Sequence, residues 1–187
     1  MSENVHPEEV LGKIADAFGE ENYALIGGLA VTVRGIARTT RYVDLLLAVP
    51  RIRVPGVMER FQEARFSMNP EKVLIELRDH HFSQIHYGPI RVDLLGAVLD
   101  VFQEIVRKAC WEKIHGHRIR IASAEGLILL KLLAFRQHDL GDLWGLVAAN
   151  KDTLNLKYLR SQYRQVGKMT DLCWQTFENI LNEKDKR

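Results

Sequence analysis

Two aspartates lie inside segments that are otherwise almost entirely apolar. Asp44 lies within Val43-Asp-Leu-Leu-Leu-Ala-Val49, and Asp93 lies within Ile90-Arg-Val-Asp-Leu-Leu95. Runs of this composition are typical of strands that are covered on both faces. Burying a carboxylate costs several kcal/mol unless a cation or hydrogen-bond donors compensate it. The sequence therefore predicts a compensating group beside each acid.

Two hypotheses account for this compensation. A divalent cation shared by two neighbouring strands would satisfy both acids, and Mg2+ suits oxygen ligands and completes its shell with water and phosphate oxygens. Alternatively, each acid lies near a strand end and pairs with an arginine such as Arg41 or Arg91. Both hypotheses remain open at the level of sequence.

A glycine pair, Gly27-Gly28, separates a short apolar segment, Tyr23 to Ile26, from a segment with helical character that begins near Leu29. Glycines at such a turn let backbone amides approach an anion, and the helix N-terminus favours negative charge. The pair predicts a phosphate contact, with tight packing as the alternative.

Further polar residues could serve the same pocket. Lys131 interrupts an apolar helix, while Asp139 and Asp142 share a helix face by their spacing. Lys131 either reaches a triphosphate or joins local ion pairs. Several arginines are expected to cluster around the predicted pocket, where they either bind a nucleotide or RNA end or are simply solvated: Arg34, Arg38, Arg41, Arg51 and Arg53. The histidines His80, His81 and His86 lack the spacing of a metal site.

The elements that must position these residues follow from periodicity and turn signals. We expect a first helix from Pro7, a helix over 57–64, and a helix rather than a strand from Pro70. The Gly88-Pro89 turn predicts a hairpin of 82–87 with 90–95, and 115–117 joins a second strand pair, 111–114 with 118–121. Ser123 caps the first of several C-terminal helices, and 182–187 is expected to fray.

Composition indicates an ordinary globular protein. The 187 residues are 47% hydrophobic and 27% charged, with a net charge of +2, which excludes a disordered chain and a strong overall field. Cys110 and Cys173 lack disulfide or zinc spacing. An acidic start without a following apolar run and the lack of a membrane-length apolar segment predict a cytoplasmic protein.

The segment from Tyr23 through the Gly27-Gly28 turn to Asp44 resembles the opening motif of the DNA polymerase beta-like nucleotidyltransferase superfamily, especially its AbiEii-like toxin branch. The run from 130 to 143 resembles the helical signature of that branch at Lys131, Arg136, Asp139 and Asp142. The resemblance implies an α+β nucleotidyltransferase fold with a mixed sheet flanked by helices. It also implies a core at 1–122 and a C-terminal helical part at 123–187 packed on it.

The resemblance assigns roles to individual residues. Gly27, Gly28 and Arg41 would contact the nucleotide, Asp44 and Asp93 would be the second and third metal-binding acids, and Lys131 would assist catalysis. Tyr42 stands where the first acid belongs. Its phenol, with a reference pKa of about 10, is a weak neutral ligand that replaces a carboxylate poorly.

Two functional hypotheses follow from the resemblance. In the first, the protein uses Mg2+, or Mn2+ in its place, to transfer a nucleotidyl group from an NTP to a tRNA or protein hydroxyl, and its partners include a cognate antitoxin or a second copy of the chain. In the second, the substitution at Tyr42 leaves a catalytically inactive protein that binds a nucleotide, an RNA or a partner protein.

Overall fold

The computed structural model describes residues 7–35, 40 and 42–183. The expectations for Arg38, Arg41 and the C-terminal end from 184 onward lie outside the described residues.

The described residues include six strands: β1 Tyr23–Ile26, β2 Tyr42–Leu47, β3 Phe82–Tyr87, β4 Ile90–Gly96, β5 Cys110–Ile114 and β6 His117–Ile121. They form one sheet in the order β3-β4-β2-β1-β6-β5. The pairs β2–β4 and β1–β6 are parallel, while β1–β2 and both hairpins are antiparallel. The sheet is therefore mixed.

The helices are α1 Pro7–Phe18, α2 Gly27–Val33, α3 Val54–Glu63, α4 Pro70–Asp79, α5 Asp100–Arg107, α6 Ala124–Ala134, α7 Asp139–Asn150, α8 Leu156–Tyr163 and α9 Leu172–Glu183. This α+β architecture, with a mixed sheet flanked by helices and a C-terminal helical part, is confirmed. Within the part of the chain that the structure describes, no helix has the length and apolar character needed to cross a membrane.

Local chemistry explains most of the element boundaries. The side chain of Asn69 accepts a hydrogen bond of 3.0 Å from the Lys72 amide and Pro70 follows directly, so a capped helix forms where a strand was the alternative. Ser123 likewise caps α6 by accepting a hydrogen bond of 3.1 Å from the Gly126 amide. Helix α5 was not predicted from the sequence.

Both predicted hairpins are confirmed. β5 and β6 are joined by His115 and Gly116, whose φ angles of 46° and 87° suit a two-residue turn with the right-handed twist of the strands. Strand β2 ends at Leu47, two residues earlier than its apolar run suggested. The division into a core and a helical part at residue 122 stays a prediction.

An aromatic cluster anchors α1 and α3 on one face of the sheet. Phe18 of α1 stacks on Tyr23 of β1 with ring centroids 4.3 Å apart, and Phe61 of α3 meets Phe18 edge to face at 5.2 Å. Phe66 continues the cluster 4.8 Å from Phe61. Because Phe18, Tyr23 and Phe61 are fully buried, this cluster supports the strands that carry the two aspartates.

Replacing Phe61 with alanine should lower the free energy of unfolding by about 3–5 kcal/mol, because the cavity would lie in the aromatic cluster. Urea denaturation followed by circular dichroism measures the loss. Phe82→Ala, at a ring that is 40% exposed on the edge strand β3, is the control and should cost far less. Equal losses in the two variants would contradict this packing.

Candidate functional site

Asp44 and Asp93 lie side by side on the parallel strands β2 and β4, where they are register partners. Gln84 of β3 is the register partner of Asp93 on its other side. Residues in register on adjacent strands project to the same face. We call Gln84, Asp93 and Asp44 the carboxylate row.

Gly27 opens α2 directly against Asp44. It has a φ of +65°, and a Cβ added there would lie 1.9 Å from the Asp44 Oδ2 atom. Ile26 is the register partner of Asp44, so the turn and the carboxylate meet where β1 ends. Glycine is required at position 27 both by its backbone conformation and by this close approach.

Asp93 is compensated from within the chain. The Arg91 Nη2 atom donates to Asp93 Oδ2 at 3.0 Å, and Arg91 Nε lies 2.9 Å from Oδ1. The amide of Gln84 donates to the same Oδ1 at 3.0 Å. Both oxygens of Asp93 are therefore engaged by donors from the chain, although the residue is only 7% exposed.

Tyr42 holds the arginine in place. Arg91 and Tyr42 are register partners two residues before Asp93 and Asp44, and the guanidinium carbon lies 3.8 Å from the centroid of the phenol ring. This is a cation–π contact. Tyr42 therefore stacks on the cation that pairs with Asp93.

The carboxylate row does not fit a pair of magnesium ions in this arrangement. Each ion needs free carboxylate oxygens, yet both Asp93 oxygens accept hydrogen bonds and a guanidinium stands beside them. Tyr42 contributes no carboxylate. Among the described residues, no group of three or more His, Cys, Asp or Glu side chains is arranged to hold a metal ion.

Lys131 is held by two carboxylates in the helical part. Its Nζ atom lies 2.5 Å from Asp139 Oδ1 and 2.8 Å from Asp142 Oδ2, and the Arg136 amide donates to Asp139 Oδ2 at 3.1 Å. The side chains of Lys131, Asp139 and Asp142 are 12%, 3% and 8% exposed. The contacts therefore show ion pairs between α6 and α7, while a role for Lys131 at a triphosphate stays a prediction.

Of the arginines predicted to surround the pocket, the structure describes Arg34, Arg51 and Arg53, and their described contacts lie away from the carboxylate row. Arg34 donates to Glu112 at 2.8 Å and to the Ala122 carbonyl at 3.1 Å, which ties the end of α2 to β5 and β6. Arg51 and Arg53 follow the opposite end of β2, where Arg53 pairs with Glu21 at 3.3 Å. The arginine that the structure does bring to the row is Arg91, which the sequence offered as one alternative partner.

Two clefts flank this region. One of about 600 Å3 runs along β3 and is lined by Gln84, His86, Lys72 and His80 among others. Because Gln84 also holds Asp93, this cleft adjoins the carboxylate row. A second cleft, of about 870 Å3, lies at the opposite ends of β2 and β4, beside Leu47 and Gly96.

No family model matches the chain, and no curated protein is significantly similar to it in sequence. Among solved structures, an antigenic nucleotidyltransferase-like protein from Paracoccidioides brasiliensis aligns over 91% of each chain with 12% identity and a TM-score of 0.48. ANT(2'')-Ia in complex with adenylyl-2''-tobramycin aligns over 96% of this chain and 97% of its own, with 15% identity and a TM-score of 0.48. JHP933 from Helicobacter pylori aligns over 96% and 92%, with 15% identity and a TM-score of 0.47. At these values the similarities do not by themselves assign a fold or an activity.

Gly27→Ala should destabilise the protein by more than backbone strain alone, because the new methyl group would collide with the Asp44 carboxylate. Gly19→Ala is the matched control, since Gly19 also has a positive φ of +57° but has no atom within 4 Å of an added Cβ. Thermal unfolding should show the larger loss for Gly27→Ala, and Asp44→Ala in the same chain should recover part of it. Equal losses for the two glycines would contradict the contact.

Lys131→Met should cost about 3–5 kcal/mol of unfolding free energy, because it removes the ammonium group that lies between two buried carboxylates. Lys157→Met, at an exposed position on α8, is the control and should change stability little. Urea denaturation measures both. A stable Lys131→Met protein that loses nucleotide binding would instead favour a direct contact with a triphosphate.

Proposed function

We propose that the chain is a nucleotidyltransferase-like protein that binds a nucleotide beside the carboxylate row and does not carry out two-metal nucleotidyl transfer. The observation that carries the proposal is the Arg91 guanidinium, which stacks on Tyr42 and pairs with Asp93. A positive charge fixed there takes the place of a metal ion beside Asp93.

Arg91 has the means to contact a phosphate. Its Nε and Nη2 atoms face Asp93, whereas its third nitrogen, Nη1, makes no hydrogen bond within the described residues. The side chain is 34% exposed, so it is accessible from solvent. A guanidinium presents its donors in a fixed fork that suits phosphate oxygens. The polar cleft along β3, with Lys72, His80 and His86, offers room for the remainder of the ligand.

In this proposal the two carboxylates position other residues and do not bind a metal ion. Asp93 orients Arg91 through two close contacts and is itself oriented by Gln84. Asp44 lies against Gly27 and shapes the turn at the start of α2. In a catalytic relative, bound magnesium would supply positive charge to the triphosphate. Here we assign that charge to Arg91, so nucleotide binding should not depend on metal.

A second candidate function is nucleotidyl transfer from an NTP to an RNA or protein hydroxyl, as in AbiEii-type toxins. The alignment of Asp44 with Asp93 on neighbouring strands favours it, because this is where a shared cation would be held. Arg91 would then have to release Asp93. A tRNA or protein acceptor, Mn2+ in place of Mg2+, and a cognate antitoxin belong to this candidate.

Titration calorimetry with each of the common nucleoside triphosphates, in EDTA and in Mg2+, tests the first proposal. We expect binding in EDTA that Mg2+ changes little, and a loss of about tenfold in Arg91→Ala for one charge-assisted phosphate contact. Arg53→Ala, at an arginine beyond the other end of β2, is the control and should bind as the wild type does. The absence of nucleotide binding in either buffer would overturn the proposal.

A transfer assay separates the two candidates. The protein is incubated with labelled NTPs, Mg2+ or Mn2+, and total tRNA or protein, beside Asp44→Asn and the double variant Tyr42→Asp/Arg91→Ser. The first proposal expects no transfer by the wild type. Transfer that disappears in Asp44→Asn would establish the second candidate instead. Transfer only by the double variant would indicate that Tyr42 and Arg91 together exclude the metal.

A further inference from the structure

One side of the β5–β6 hairpin combines an exposed tryptophan with basic residues. Trp111 pairs across the hairpin with Arg120, and Lys113 pairs with Arg118. Because side chains alternate along a strand, these four project to the same side. We call them the basic hairpin face. Trp111 is 46% exposed, although a tryptophan is usually well buried.

The two arginines of this face place their guanidinium groups over the indole ring. The guanidinium carbons of Arg118 and Arg120 lie 5.1 and 5.8 Å from the ring centroid of Trp111. Arg120 is anchored, since its Nη1 atom donates to Asn22 and its Nη2 atom donates to the Val106 carbonyl, both at 2.9 Å. The face is therefore organised before any partner binds.

Positive charge continues from the hairpin to the end of α5. Arg107 and Lys108 precede β5 and their side chains are 69% and 43% exposed. Glu104 lies 2.6 Å from Arg107 and 4.0 Å from Lys108, and the hydrogen bond from Arg107 holds the pKa of Glu104 below its usual range. That acid offsets part of the charge of α5, but no acid lies among the four residues of the basic hairpin face.

The acid nearest in sequence to this face is occupied elsewhere. Glu112 alternates with Trp111 and Lys113, so it projects to the other side of β5, where Arg34 pairs with it at 2.8 Å. Glu112 therefore does not neutralise the cations of the basic hairpin face, and these are available to an external anion. Such local charge arises although the whole chain has a net charge of only +2.

We propose that the basic hairpin face binds single-stranded nucleic acid, with an unpaired base stacked on Trp111 and phosphates bound by Lys113 and Arg118. Exposed aromatic rings between cations bind single strands because every base has a face that stacks. A duplex would keep its bases away from the ring. A membrane surface would call for apolar neighbours, whereas the neighbours of Trp111 on this face are basic.

This surface is distinct from the nucleotide site. β5 is the third strand from β2 across the sheet, a separation of about 14 Å at the usual strand spacing. Substitutions at Trp111 or Arg118 should therefore leave nucleotide binding at Arg91 unchanged. The two proposals can fail independently.

Fluorescence anisotropy with labelled single-stranded RNA and DNA of about 12 nucleotides, and with the matching duplex, tests the proposal. We expect Trp111→Ala to weaken single-strand binding about tenfold or more and Trp111→Phe to retain most of it, because a phenyl ring still stacks. Lys113→Glu and Arg118→Glu should each make the dependence on salt less steep: the negative slope of log K for association against log salt concentration should shrink in magnitude by about 0.7 or more. Arg164→Glu, at an exposed residue directly after α8, is the charge control and should bind as the wild type does.

The outcomes distinguish the ligand source and the type of contact. Tighter binding of RNA than of DNA, or the reverse, identifies which single strand is preferred, and either supports the proposal. Equal binding of duplex, heparin and single strands, with no effect of Trp111→Ala, would show a general polyanion surface and overturn it. The absence of single-strand binding at low salt would also overturn it.

Discussion

The parallel pairing of β2 with β4 is the constraint on which the candidate site depends. Its register places the carboxylates of Asp44 and Asp93 beside each other in a sheet whose other face is apolar. Two neighbouring carboxylates disfavour each other's ionised form unless positive charge or donors are supplied. Arg91 supplies positive charge and a donor to Asp93, and Gln84 supplies a second donor. Gly27 has no side chain, whereas a Cβ at this position would collide with Asp44. The surroundings of the row thus follow from a single strand register.

Buried carboxylates are also compensated by a cation of the chain between α6 and α7. Lys131, Asp139 and Asp142 lie almost entirely out of solvent, and each carboxylate lies within 2.8 Å of the ammonium group. A buried ion pair of this kind contributes little net stability but makes the loss of one partner costly. Polar residues that in sequence suggest a ligand site are therefore compensated by neighbours in the chain itself, both in the sheet and between α6 and α7.

Sequence reasoning captured what depends on local pattern. The Gly88-Pro89 turn, the helix start at Pro70 and the Ser123 cap each act within a few residues, and the corresponding elements formed. Local pattern did not decide what compensates Asp93, because a bound metal ion and an arginine side chain would both compensate a buried carboxylate and the sequence is compatible with either. The contact between Tyr42 and Arg91 depends on the register of two strands separated by more than forty residues, and a single sequence does not show that register.

Tyr42 is consequently part of the surroundings that compensate Asp93. Its ring lies 3.8 Å from the Arg91 guanidinium, so the two residues form one unit with Asp93. An aspartate at position 42 would meet that same guanidinium and pair with it, since their strands remain in register. A carboxylate introduced at position 42 alone would therefore form an ion pair with Arg91 and would not create a metal site. A metal ion beside Asp93 would also require the removal of Arg91, because its guanidinium lies within 3.0 Å of both Asp93 oxygens.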